Sequence, residues 1–269
     1  KAMNQIVYRF PQGTEKILTM SYDDGHVEDR RLTQLFRKYG IRATFHLPSA
    51  YIGQKEHVTA TEIPSLYRDF EVAAHTVSHP MINQMPPQQW VQEVWEDRRA
   101  LERIIGYPVR GLSYPYGVYT RQLQQLLPHL GVAYARTTQS TNAFALPDLQ
   151  TLYAWNPTCR HTEQLLSLGE TFLREHPGNV LMYVWGHSFE FERDHNWDLI
   201  EEFCKRMQGR PNIWYATNIE VADYCNALKR LVISADGTII QNPSYQDVWL
   251  SVNGQTVSVP GGQTAVFRE

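Results

Sequence analysis

The sequence predicts an α/β fold: a distorted (β/α) barrel of about seven strands over residues 1–230, then a small all-β appendage over 231–269. Three observations carry this reading. Up to residue 231, short apolar runs of strand length alternate with stretches of helical period, the pattern of a parallel sheet wrapped by helices. Beyond it the helical period disappears, and short strand-like runs are separated by the turn pairs Asp236-Gly237, Asn242-Pro243, Asn253-Gly254 and Gly261-Gly262. The chain has 269 residues, one large domain or two modest ones at roughly 150 residues per domain.

Strands are expected at residues 17–22, 43–47, 70–74, 109–114, 133–137, 180–185 and 213–216. Between them lie helical stretches at 27–39, closed by Gly40, and at 61–69, 121–130, 163–175, 197–207 and 219–228. The clearest helix opens at Pro86-Pro87 and closes at Gly106. Its Trp90, Val91, Val94, Trp95, Leu101, Ile104 and Ile105 recur at three- and four-residue steps, which predicts one buried face. Residues 138–158 read as loop. In the appendage, strands are expected at 231–234, 238–241, 248–252, 256–259 and 265–268; about forty residues hold no core comfortably, so it should pack on the barrel.

Composition excludes several classes. Hydrophobic residues at 42% and charged residues at 20% are those of an ordinary globular protein. A net charge of -3 argues against a nucleic-acid partner, which needs a clustered basic surplus. No apolar run nears the roughly 20 residues that span a bilayer. The three cysteines, Cys159, Cys204 and Cys225, form no CxxC pattern and read as buried small hydrophobes. The chain opens on Lys1-Ala2 with no signal-peptide pattern, which leaves the compartment open.

Three clusters fall just after expected strands, where an α/β barrel builds its active face. They are Ser21-Tyr22-Asp23-Asp24-Gly25, His75-Thr76-Val77-Ser78-His79 and Gly186-His187-Ser188. Taken singly, the first reads as an exposed turn and the second as two surface histidines. Together, one carboxylate and two imidazoles make the three-ligand set of a hydrolytic zinc centre, with a second carboxylate free to act as base.

These residues resemble the motifs of the polysaccharide deacetylases, the carbohydrate esterase family 4 with its NodB homology domain. Ser21–Gly25 is similar to the T-[FY]-D-D-G motif, and His75–His79 matches H-[ST]-x-x-H. Tyr114-Pro115-Tyr116-Gly117 resembles the end of the third motif, and His187 stands where a fifth motif places a histidine. The resemblance implies a NodB-like barrel of seven or eight strands and removal of acetyl groups from an N- or O-acetylated carbohydrate. By it, Asp24, His75 and His79 hold a divalent metal, most simply Zn2+, with Co2+ or Ni2+ as alternatives. Asp23 becomes the general base on metal-bound water, His187 the general acid, and the Tyr116 N–H a donor to the oxyanion. Tyr114 and Trp155 would line the substrate site; by their rings alone, Trp155 and Tyr119 read equally as sugar-stacking platforms or as plain packing. An acetylated oligo- or polysaccharide is the implied partner, and an extracytoplasmic location goes with such polymers.

Two positions depart from the family pattern. The third motif normally carries an arginine two residues before the Pro-aromatic pair, where this chain has Ser113; the nearest guanidinium, Arg110, belongs on the opposite strand face and reads as a rim salt bridge. The fourth motif normally supplies an aspartate ahead of a tryptophan, but Tyr153-Ala154-Trp155 has none. Loss of these countercharges predicts a raised Asp23 pKa. The alternative is therefore a weak or inactive carbohydrate-binding protein on a deacetylase scaffold. Glu190, Glu192 and Asp194 read first as a solvated acidic loop, with one of them as the alternative holder of the His187 imidazole in place of the absent aspartate; His26 reads as a loop histidine, His46 as a candidate pocket wall and His161 as a candidate helix cap.

Overall fold

The computed structural model describes residues 3–150, 152–174 and 178–267. Among these, fourteen strands and eight α-helices follow in order. The strands are β1 (Ile6–Arg9), β2 (Lys16–Asp23), β3 (Ala43–Leu47), β4 (Glu71–Ala74), β5 (Gly111–Ser113), β6 (Tyr134–Arg136), β7 (Cys159–Arg160), β8 (Val180–Gly186), β9 (Ile213–Tyr215), β10 (Val232–Ile233), β11 (Ile239–Gln241), β12 (Val248–Val252), β13 (Gln255–Val259) and β14 (Thr264–Val266). The helices are α1 (Asp29–Tyr39), α2 (Ile63–Leu66), α3 (Pro87–Ile105), α4 (Arg121–Leu126), α5 (Leu165–Arg174), α6 (Phe189–Arg193), α7 (Trp197–Met207) and α8 (Asn218–Lys229).

All eight strands of the main sheet are parallel, in the order β6-β5-β4-β3-β2-β8-β7, with β9 on the early part of β2. Every residue of β2 is buried, as expected of a strand covered on both faces. The gap between β6 and β7 is bridged by the chain itself. Trp155 exchanges backbone hydrogen bonds with Ala135 and Thr137, and Thr158 donates to Tyr183 O at 2.8 Å. The distorted barrel expected from the sequence is thus present, with β7 added to the seven strands foreseen. A two-residue strand has no periodicity to read.

α8 closes the barrel floor. Thr217 and Glu220 form a reciprocal capping box. Inside it, Asn218 N donates to Thr44 Oγ1, Asn218 Nδ2 to Thr19 Oγ1 and Ile219 N to Glu71 Oε1. These partners lie on β2, β3 and β4, below the ends that carry the three motif clusters.

Two expectations need correction. β1 precedes the expected first strand and pairs antiparallel with β12, so the appendage sheet β1-β12-β13 takes in the chain's beginning and the boundary at 230/231 is not clean. Phe10, Tyr224 and Leu228 share one buried cluster with Val248, Leu250 and Val259. On α3, Trp90, Val94 and Leu101 are buried, but Trp95 is 48% exposed. Five residues turn a helix about 140° from Trp90, and the inward place goes to Asp97, which is fully buried. The last residues of the strand expected at 265–268 and of the helix expected at 163–175 lie outside the described residues.

Candidate metal centre and active site

The three motif clusters converge at the carboxyl ends of β2, β4 and β8, around a cavity of about 460 Å3. Asp23, Asp24, His75, His79, His187 and Tyr116 all face it. One ligand atom each from Asp24, His75 and His79 lies within 4.8 Å of the others. His75 Nε2 is 3.4 Å and His79 Nε2 3.7 Å from Asp24 Oδ1.

Local backbone chemistry aims these groups. Asp24 (φ 80°), Thr76 (φ 67°), His79 (φ 56°) and Tyr116 (φ 58°) all occupy the left-handed region. Each such residue costs on the order of 1–3 kcal/mol, and three of them lining one cavity, with Thr76 beside His75, is the kind of strain that function retains. His75 Nδ1 lies 2.8 Å from the Ser113 carbonyl, which can only accept, so Nδ1 carries a proton and Nε2 is the nitrogen that faces the cavity. Behind it, Asp97 accepts from the N–H groups of His75 and Ser49, at 2.8 and 2.7 Å. Burial pushes the Asp97 carboxyl up to about 7.

Asp24 Oδ1 is buried and has no hydrogen-bond partner among the described residues. An orphaned carboxylate oxygen beside two imidazole nitrogens is costly in a protein interior without a cation. Ligands about 2.1 Å from a tetrahedral Zn2+ stand about 3.4 Å apart. The donor set therefore fits a divalent ion.

Asp23 contradicts the expectation of a raised pKa. Burial pushes its carboxyl up, but the Arg136 guanidinium, by its charge and its hydrogen bonds, outweighs that and holds it well below the usual carboxylate range. Arg136 Nη1 donates to Asp23 Oδ1 at 3.0 Å and Nη2 to Oδ2 at 2.5 Å, a bidentate pair with both side chains buried. Arg136 on β6 stands in register with Ser113 on β5. The guanidinium absent from the third motif is thus supplied by the next strand, and Ser113 Oγ donates the third bond to Asp23, at 3.2 Å. Sequence reading missed Arg136. Its one signal was an arginine at the end of an otherwise uncharged strand, on the same face as Tyr134. Arg110, as expected, makes a bidentate pair with Asp223 away from the cavity.

The second missing charge is also replaced. Glu190 is fully buried, not part of a solvated loop. Its Oε1 accepts from His187 Nδ1 at 3.1 Å and also pairs with Arg160, while Oε2 lies 2.9 Å from His161 Nε2. His161 stacks between Tyr22 and Phe191, and it approaches Gly186 so closely that a Cβ there would meet its ring at 2.0 Å. It caps no helix. Burial, reinforced by Arg160, lowers its pKa to about 3, so it is a neutral spacer. Glu192 and Asp194 are engaged by Trp197 and Arg193 and stay out of the site.

The remaining candidates separate cleanly. Tyr114 lines the cavity, with its hydroxyl donating to Tyr153 O and Tyr119 stacked on its ring at 5.0 Å. Trp155 does not line it: its ring packs edge-on against Tyr134 and Tyr183 in the core, because its backbone bridges the sheet. Trp185 is the indole at the cavity instead. His46 is fully buried behind Asp23 and bonds Ser21 rather than forming the wall, and His26 pairs with Glu28.

A sequence-family model described as polysaccharide deacetylase matches residues 11–135, ending one residue short of Arg136. YxkH of Bacillus subtilis, named after the polysaccharide deacetylases, is 24% identical over 47% of this chain and 46% of its own, so the chain spans less than half the length of that relative. Among solved structures, a Mycobacterium smegmatis protein named for the same family has a TM-score of 0.61 at 16% identity, over 85% of this chain and 95% of its own. A CE4 family pseudoenzyme of Bacillus anthracis has a TM-score of 0.50 at 15% identity, over 81% and 68%. At such identities these two speak for the fold alone. With the motif residues gathered on that fold, residues 11–135 of the barrel are what this chain shares with the polysaccharide deacetylase family.

Proposed function

We propose that the chain is a divalent-metal-dependent hydrolase that removes acetyl groups from an N- or O-acetylated carbohydrate. The observation that carries this reading is that both countercharges absent from the motifs are present in space, as Arg136 on Asp23 and Glu190 on His187. A decayed site has no reason to rebuild both from new positions.

Asp24, His75 and His79 would hold the ion, with Zn2+ favoured by the carboxylate–imidazole set and Co2+ or Ni2+ as alternatives. When bound, such an ion supplies a Lewis acid that polarises the acetyl carbonyl and acidifies water. Asp23, kept ionised by Arg136, takes a proton from the attacking water at a carboxylate oxygen. The backbone N–H of Tyr116 donates to the developing oxyanion. His187 commits Nδ1–H to Glu190, so Nε2, which lies 3.6 Å from Asp24 Oδ2, is the atom left to hand a proton to the departing amine or alcohol. Breaking the acyl bond then yields acetate and the freed sugar group.

The test is acetate release from a panel of N- and O-acetylated oligosaccharides by protein loaded in turn with Zn2+, Co2+ and Ni2+, with elemental analysis of the purified chain alongside. Release that stops with a chelator and returns with one of these ions supports the reading. Saccharide binding with no release under any metal at any pH sinks it in favour of a binding protein on this scaffold.

A further inference from the structure

The barrel end opposite the cavity carries a ring that the proposed chemistry does not use. Tyr245, in the loop between β11 and β12, is 87% exposed. That loop is not loose. Asn242, fully buried, donates through Nδ2 to Gln246 O and Val259 O and accepts from both the N–H and the hydroxyl of Ser244. Gln246 Nε2 reaches across to Asp223 O on α8, and Gly262 N donates to Ser244 O. Gly261 passes so close that a Cβ there would meet Tyr245 O at 2.3 Å. A loop fixed by this many bonds, and by a glycine contact, spends them on holding a tyrosine out in water.

Two clefts flank the ring. One, of about 480 Å3, is walled by Arg110, Asp223, Arg230, Ser244 and Gln246. The other, of about 370 Å3, is walled by Trp214, Tyr224, Trp249, Glu220 and Asp247. Both volumes fall in the range of small-molecule sites. Trp214 and Trp249 are half-buried and pack against the buried Tyr224, at 5.3 and 6.5 Å, so the second cleft is edged by two indoles beside Tyr245. Between them stand planar hydrogen-bonding groups of both signs: two guanidiniums against three carboxylates, with Arg110 and Asp223 already paired. That balance suits neither a polyanion nor a polycation. Rings that take the apolar face of a pyranose, with amide, guanidinium and carboxylate edges that pair with hydroxyls, suit an uncharged polyhydroxylated chain.

We propose that Tyr245 and its two clefts form an accessory saccharide site that holds a neutral acetylated polysaccharide away from the metal centre. A polysaccharide is chosen because the reading above makes one the substrate; the site itself stands on Tyr245 and its surroundings. Since the loop is already ordered, little conformational freedom is lost on binding.

The test uses the full chain with Asp24→Ala, so that retention does not depend on turnover, sedimented with insoluble chitin and with insoluble acetylated xylan. The expected result is retention on at least one polymer, weakened about fivefold by adding Tyr245→Ala and preserved by Tyr245→Phe, which keeps the ring. Three results overturn the proposal: no retention on either polymer, retention indifferent to Tyr245→Ala, or a fall in molecular mass by light scattering on Tyr245→Ala, which would make this face a contact between copies. In parallel, wild-type acetate release is measured on chitin and on a soluble chitotetraose. Loss of release confined to the polymer in Tyr245→Ala supports the site, and an equal loss on both overturns it. Retention on polymer without any acetate release sinks the hydrolase reading and leaves this site standing.

Discussion

The two ends of the barrel handle buried polar groups in opposite ways. At the floor, Glu71 accepts from Thr44, Tyr134 and Ile219 N, and Asn218 is bonded to Thr44, Thr19 and Tyr183. Their polar atoms are matched, and their backbone is regular strand and capped helix. At the mouth, Asp24 Oδ1 has no hydrogen-bond partner among the described residues, and four residues are held in left-handed backbone. A satisfied network stabilises; an unsatisfied one, kept against its cost, marks where something is to be bound. The contrast separates function from scaffolding within one interior.

The contrast breaks most completely if the orphan is removed. Asp24→Ala should abolish stoichiometric metal in elemental analysis and drop acetate release to background, while the fold stays intact by circular dichroism. His79→Ala should do the same. A variant that keeps both metal and turnover removes the basis of the assigned centre.

Asp23→Asn comes next. The amide keeps shape but takes no proton, so metal content should stay near one per chain while kcat falls roughly 10²–10⁴-fold. Unchanged kcat in metal-loaded protein makes Asp23 a bystander.

Arg136 tests how the mouth tolerates its charge. Arg136→Met leaves a buried carboxylate without its countercharge, which should destabilise by about 3–5 kcal/mol in denaturant unfolding. Asp23→Asn together with Arg136→Met should be less destabilised than Arg136→Met alone, since no charge is then stranded. Adding Ser113→Arg to Arg136→Met places a guanidinium on the neighbouring strand in register, and should recover part of both stability and turnover. An additive double variant, with no coupling between Asp23 and Arg136, is the outcome that defeats this account.

These residues also show where sequence reading succeeds and where it ends. Asp23, Asp24, His75, His79 and His187 were legible because each follows a strand, and strand ends are where a barrel gathers its chemistry. The α/β rhythm was legible for the same reason: period carries burial. Arg136 was not, and Glu190 only as one of three acids after His187, because they replace charges by position in space rather than in sequence. The register of β5 with β6, and the turn that buries Glu190 beneath His187, exist only once the chain is folded. Trp155 was misplaced because a tryptophan reads alike as a stacking platform and as core, and only the backbone bridge to Ala135 and Thr137 decides. β1 escaped notice because half of a four-residue edge strand is solvent-facing, and its partner lies more than two hundred residues away.

The floor offers the smallest and cleanest test. Burial pushes the Glu71 carboxyl up to about 7, and the donors Ile219 N, Tyr134 and Thr44 keep it from rising further. Its folded pKa lies above its unfolded one, so the protonated form binds its proton more tightly in the native state. The stability this contributes is complete below the unfolded value and is lost as pH climbs through about 7. Wild type should therefore lose on the order of 3 kcal/mol or less between pH 5 and 8 from this group. Glu71→Gln, which cannot ionise, should flatten that part of the profile while starting less stable at pH 5, because one donor loses its acceptor. Turnover per folded molecule should not change, since the side chain is bonded to the floor and not to the mouth. A profile as steep in Glu71→Gln as in wild type assigns the slope to other buried acids, of which Asp29, also pushed up to about 7 and bonded to Ser188 beside His187, is the first to try.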